Sequence, residues 1–492
     1  MLAIAAIIDY PSDWLIFSKI TGNDESGLSA TYALKICALW LLFKPTSMFR
    51  FSLFLCAIIA TLFILLPRVP NHLVFVFVVA CSIIAAWAGL LIRDKTLNIN
   101  PSTLYNTFSP IIRVEVLLLY FWAVTHKFNS GFFNSSTSCS TLHIFKLKDQ
   151  MHFIPTFEAL ITVNIYLTIF IEILIPLFLI FRQTRMIGLL LGLLFHLVVS
   201  FSYPGFTAMI YATLSLFLTN HLYYTPRNQT DKHGPSMSDT RPPLPNTIYY
   251  SLQICALLAI LALLSHMYSR QWNYLRISIN QMLVAAYALV IILYFIWIIL
   301  PRWRTMNSAV PIFRTTSHYL WVFPAILFLN GLTPYLGIKN TQAFAMFSNL
   351  STERGKTNHL FIPPSIQLSN NLSDLVQINE SSDSVINAFG KTIREHPWTS
   401  TYIPLSSPYF GSKYGVQSGW RFDLPYFMLR SRITELRKNG VKGIYVNYIR
   451  DGRTFVTSNA ERDPHLSTAP YLARKFLLMR AVPREVTGLC MW

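Results

Sequence analysis

The stretch LVFVFVVACSIIAAWAGLLI, Leu73 to Ile92, runs for twenty residues without a charge. Coiled as an α-helix it rises about 30 Å, the thickness of the hydrocarbon core of a bilayer. Comparable blocks lie on either side, at 28–43, 51–66, 109–125, 157–181, 185–201, 204–219, 248–267, 279–300 and 318–338. With the block at 72–92 they predict a membrane all-α fold, a polytopic bundle of about ten transmembrane helices. Pro45, Pro67, Pro70, Pro101, Pro155, Pro204, Pro242, Pro243, Pro245 and Pro301 stand where these blocks end and punctuate the expected hairpins.

The composition agrees. Of 492 residues, 53% are hydrophobic and 13% charged, with a mean hydropathy of +0.42. A soluble core cannot absorb that surplus, so the lipid bilayer is the expected surroundings. The net charge of +18 does not point to nucleic acid, because the basic residues sit mostly in short loops between apolar blocks. The loops 43–50, 93–113, 182–185, 220–247 and 301–317 carry thirteen Lys and Arg against about seven on the opposite side. The positive-inside rule then makes both termini exoplasmic, in an inner or plasma membrane if the source is bacterial. Cys37, Cys56, Cys81, Cys139, Cys255 and Cys490 show no CxxC pair or metal-ligand spacing and are expected to be small core residues, with no metal.

Three regions follow. Residues 1–27 lack a basic n-region and a small-residue cleavage site and are expected to form an interfacial segment; 28–338 form the helical domain. Residues 339–492 lose the apolar blocks and read as a small soluble α+β domain. Strands are expected at 359–363 and 375–378, a helix from Pro425 to a Gly440 C-cap, and a type I′ hairpin turning at Asp451-Gly452. Asn-x-Ser/Thr sequons stand at Asn134, Asn228, Asn349, Asn371 and Asn379, a number that chance supplies in so Asn- and Ser-rich a chain.

Ionisable groups at membrane depth are costly and mark cavities, partners or water. Glu172 and His196 both stand about ten residues from the Arg182–Arg185 turn, so they share a depth and could form a carboxylate–imidazole pair, structural or functional. His72 opens one block and Lys127 closes another, on the same edge of the membrane. Each has an ordinary reading: an interfacial residue at a helix start for His72, a snorkelling anchor for Lys127. The sharper reading of Lys127 is a desolvated amine at the rim of an apolar cavity, able to act as a base.

Tyr120-Phe-Trp-Ala-Val-Thr-His126-Lys127-Phe-Asn129, the later Glu172-Ile-Leu-Ile-Pro176, Arg182-Gln-Thr-Arg185 and Phe195-His196, with Asn71-His72 some 55 residues before Lys127, resemble the horizontally transferred transmembrane (HTTM) domain shared with vitamin K-dependent gamma-carboxylase. The resemblance spans roughly residues 30–340. It implies that Lys127 is the base that deprotonates a reduced quinone such as vitamin K or menaquinone, and that His72 serves a second half-reaction. Asn71, His126 and Asn129 would shape the rim, and Glu172 and His196 would hold the bundle or relay a proton. Where the carboxylase has Lys-Lys-Leu-Asp, this chain has His126-Lys127-Phe128-Asn129, and no counterpart of the large lumenal region is evident, which argues against carboxylation of a protein glutamate. The expectation is therefore a carboxylase/epoxidase-like enzyme acting on a quinone-like, lipid-soluble substrate, with an exoplasmic protein partner or substrate open to it. The alternative is a non-catalytic scaffold or lipid- or quinone-binding protein of the same fold. A transporter, for which intramembrane Glu and His could relay protons, ranks last because no internal repeat or paired broken helices accompany them.

Overall fold

The computed structural model describes residues 25–218, 284–301, 312–390, 421–484 and 490, apart from 68, 97, 151, 152, 202, 203, 286 and 316. The expected span at 248–267, the start of that at 279–300, and most of the segment 1–27 lie outside the described residues. The apolar half is helical: α1 (Glu25–Phe43), α2 (Met48–Leu65), α3 (Asn71–Asp94), α4 (Pro101–Thr125), α5 (Cys139–Gln150), α6 (Glu158–Ile180), α7 (Arg185–Ser200), α8 (Pro204–Leu214) and α9 (Val322–Leu332).

Four of these, α2, α3, α4 and α6, are long and apolar enough to cross a membrane. The count of ten is corrected accordingly for the described residues. The blocks near 185–201, 204–219, 279–300 and 318–338 instead give apolar helices of at most seventeen residues, and the block near 28–43 lies in the nineteen-residue α1, which is not among the four. Sixteen residues of α7 rise only about 24 Å, short of a straight crossing. The opposite error occurs in α4, which was expected to begin at 109. It begins at Pro101, with the Asn100 side chain accepting the Ser102 N–H, and it carries Pro110 within its length.

α4 is the central helix. Two thirds of its most apolar stretch is buried, against 28% for α6, and it packs on α3, α6, α8 and α9. It therefore carries polar groups that could not face lipid. Arg113, mid-helix, donates to Leu216 O (2.7 Å) and Ile312 O (2.6 Å), and Glu115 accepts from Ser82 Oγ of α3 (2.6 Å). Gly331 of α9 lies directly against the Trp122 indole, where a Cβ would stand 2.3 Å from two ring atoms.

The C-terminal part forms a five-stranded antiparallel sheet, with strands β1 (Leu375–Ser381), β2 (Phe422–Pro425), β3 (Val446–Arg450), β4 (Arg453–Thr457) and β5 (Val482–Pro483) in the order β4-β3-β1-β2-β5. α10 (Tyr426–Lys438) buries Leu429, Ile433 and Leu436 against Val376, Ile378 and Val446 of the sheet. The expected C-cap is present: Gly440 has φ +77° and Val441 N donates to Leu436 O. So is the hairpin, where Asp451 and Gly452 both have positive φ, as a type I′ turn requires. The strand expected at 359–363 is absent; His359 makes a single bridge to Asn129 and donates from Nε2 to Thr125 O at the end of α4. Its Nδ1 accepts the amides of Phe361 and Ile362, a geometry that curls the chain instead of extending it. Burial holds the His359 imidazole below its ordinary pKa, as a neutral ring with one acceptor nitrogen requires.

Between bundle and sheet, residues 339–362 form a strap across the ends of the helices. Gln342 donates to Pro67 O and Val69 O, Phe344 N to Asn71 Oδ1, and Lys475 Nζ reaches Phe63 O and Ile64 O at the end of α2. Gln342, Phe344, Phe347, Asn349 and Arg354 all have φ between +51° and +62°, the left-handed region that costs a side-chain-bearing residue roughly 1–2 kcal/mol. Two networks hold the strap. Glu353 accepts from Asn340, Ser351 and Arg480, and Arg354 and Arg484 share Asp423. Burial alone would raise the Glu353 carboxyl, but Arg480 and the hydrogen bonds outweigh it and hold it below its ordinary range.

Cys139 of α5 and Cys490 form a disulfide. This corrects the expectation that all six cysteines are inert core residues. Their separation of 351 residues leaves no local signal of the pairing.

Candidate functional site

The expected residues gather where α4 ends beneath the strap. Lys127 lies one residue beyond the C-cap of α4, and Glu172 in the middle of α6 faces it. Lys127 Nζ donates to Glu172 Oε2 at 2.7 Å and to Ala123 O at 3.2 Å, and stands 5.9 Å over the Phe132 ring. The two side chains are only 6% and 12% exposed, so the pair is withdrawn from water. By their shared depth, Glu172 could pair with His196. It binds Lys127 instead, because Lys127 reaches back along its own helix while the side chain of His196 is taken by α4.

His196 of α7 forms a 2.7 Å hydrogen bond through Nε2 with Tyr120 OH of α4. Its Nδ1 is buried and has no hydrogen-bond partner among the described residues. Whichever tautomer the Tyr120 bond selects, Nδ1 is left with an unmet donor or an unmet lone pair. Phe206 edges onto His196 at 5.2 Å and onto His72 at 6.2 Å, so the two histidines flank one aromatic ring. His196 also lies within electrostatic reach of Lys127, and Tyr120 within reach of Glu172. His72 is half-buried at the start of α3, beside Asn71, whose side chain accepts from the strap.

His126 and Asn129 belong to the seam between bundle and strap. His126 is fully buried and stacks on Trp122. Its Nε2 bonds Ala343 O at 2.9 Å and its Nδ1 bonds Tyr335 OH at 2.8 Å. A carbonyl only accepts, so Nε2 carries the proton and Nδ1 accepts from the tyrosine. Asn129 donates to His126 O and Ser348 O and accepts from Phe132 N and Asn358 Nδ2. Asn349, at an expected sequon, is buried between Thr137 O and Cys139 N, which leaves its amide no room for a glycan.

Three residues of this region escaped the sequence reading. Tyr120 opens the segment that carries the resemblance but was given no role there, and Tyr335 stands more than 200 residues from its partner His126. Glu115 carried a readable signal, an acid inside the apolar block at 109–125, and the structure buries it completely. Among the described residues no group of three His, Cys, Asp or Glu side chains could hold a metal ion.

Compared with family models, curated proteins and solved structures, the chain matches none. The functional reading therefore rests on this cluster: a buried ammonium–carboxylate pair, an adjacent tyrosine–histidine pair with one unpartnered nitrogen, and a strained strap bound to the end of α4.

Proposed function

We propose that this chain is a multi-pass membrane protein whose Lys127–Glu172 pair handles the proton of a quinone-like, lipid-soluble hydroxyl compound, as a carboxylase/epoxidase-like enzyme would. The buried 2.7 Å contact carries this reading. Shifting one proton along it converts the ammonium to an amine and the carboxylate to an acid, with no change in net charge. The amine can then take the proton of a hydroquinone hydroxyl, a group with a pKa of about 10 when it resembles tyrosine, and the restored ammonium stabilises the phenolate. Tyr120 and His196 offer a route onward for a proton through the open Nδ1, and His72 stands at the far side of Phe206 for a later step. The left-handed strap residues add support, since strained backbone concentrates at sites that must be held in one geometry.

The same reading sets the site and the sheet on the exoplasmic side of an inner or plasma membrane, open to an exoplasmic protein partner or substrate. Support comes from the Cys139–Cys490 disulfide, which belongs to oxidising compartments, and from the loop charges. A second reading, a scaffold or quinone-binding protein without catalysis, is favoured by the closure of the ion pair and by the full use of the His126 and Asn129 hydrogen-bonding groups.

The deciding experiment measures oxygen uptake by the purified chain in nanodiscs with reduced vitamin K or menaquinone. Uptake by the wild type that is lost in Lys127→Ala and sharply reduced in Glu172→Gln is expected, with both variants retaining a cooperative melt. Uptake no greater than in protein-free discs across several reduced quinones would replace this reading with the non-catalytic one.

A further inference from the structure

Away from the bundle, the sheet and α10 border a half-open pocket of about 440 Å³ whose lining includes Tyr426, Arg430, Tyr448, Arg450, Phe455 and Asp463. That volume suits a ligand between a monosaccharide and a nucleotide in size. Three of its residues are aromatic: Tyr448 and Phe455 stack at 5.2 Å with 14° between their planes, and Tyr426 lies 6.3 Å from Tyr448.

The charges are unevenly satisfied. Arg450 is clamped by both oxygens of Asp374 (2.8 and 2.9 Å) and lies flat on Tyr426 at 3.8 Å, so its charge and its position are fixed. Asp463 accepts the His465 N–H at 2.8 Å at the start of a helical turn. Arg430 differs: its Nε is buried with no hydrogen-bond acceptor among the described residues, while its guanidinium stands 5.9 Å over Tyr426. The Arg430 side chain is only half-buried, but a buried N–H without an acceptor is costly, and an oxyanion entering the pocket relieves that cost.

We propose that this cavity binds a small organic monoanion, a carboxylate or phosphodiester whose oxygens take the Arg430 fork and whose body lies against Tyr448 and Phe455. The single charge follows from the lining: Arg450 is already neutralised by Asp374, and Asp463 opposes a second negative charge. Such an anion could be a soluble carboxylate or the headgroup of an anionic lipid, both of which present the same charge and the same oxygens.

The test uses the full-length chain in a non-ionic detergent, with 4-fluorobenzoate as the probe and its ¹⁹F line width as the readout. Broadening by wild type, loss of at least tenfold in apparent affinity in Arg430→Gln, and partial recovery in Arg430→Lys are expected, with all three melting alike. Displacement of the probe by short-chain phosphatidylglycerol but not by phosphatidylcholine identifies the lipid headgroup as a source. Failure of that lipid to displace a bound probe assigns the site to soluble carboxylates. Equal broadening by wild type and Arg430→Gln, or no binding of either probe or lipid, overturns the proposal.

Discussion

At the scale of single residues, the Lys127–Glu172 contact is the most exposed to test. Removing one partner leaves the other charged and buried, so Glu172→Leu should lower stability by about 3–5 kcal/mol, whereas Lys127→Met with Glu172→Leu should cost far less than the sum of the single changes. Denaturant unfolding of the four proteins of that cycle measures the coupling; additive losses would show that the two side chains act independently. Lys339 gives a prediction in pH. Burial lowers its pKa from 10.5 to about 8, with Phe476 O as its acceptor. Between those values the unfolded chain holds a proton that the folded chain has released, so stability rises with pH across that window. Below pH 8 the ammonium is charged in both states and its burial costs the fold about 3 kcal/mol. Lys339→Met should therefore raise the melting temperature at pH 7 and lose most of that advantage by pH 10.5. Lys127, Glu172 and His196 were legible in the sequence because charges are rare inside apolar blocks. Who pairs with whom was not, since depth along a helix is readable from spacing but the rotation of one helix against another is not.

At the scale of elements, the tight seam between α4 and α9 leaves no room for growth. Gly331→Ala would drive a methyl group into Trp122 and should cost about 1–3 kcal/mol, seen as a lower melting temperature with the helix content of the folded state unchanged. Local chemistry made several elements readable. Gly440 ends α10, and Asp451-Gly452 turns a hairpin, because only particular residues adopt those backbone angles without cost. The strap was unreadable for the complementary reason: it is built by ordinary residues forced left-handed through contacts with chain some 270 residues away, such as Phe344 with Asn71. Span lengths failed in the same way. Hydropathy marks apolar blocks but not where a helix stops, so α7 and α9 look like crossings in sequence and prove shorter in space.

At the scale of the whole molecule, the Cys139–Cys490 bond ties the C-terminal sheet region to α5 and through it to α6, the helix that carries Glu172. Cys139→Ser, Cys490→Ser and the double variant should show one common loss of about 2–5 kcal/mol, and reductant should abolish the difference between them and wild type. Melting with and without dithiothreitol tests both statements. The bond also imposes an order on biosynthesis. At 5–20 residues per second, the ribosome needs roughly 20–70 s to travel from the first of these cysteines to the second, 351 residues on. For all of that interval Cys139 waits as a thiol, open to any oxidant or mispairing partner it meets, so this bond closes only after at least 351 further residues have been made.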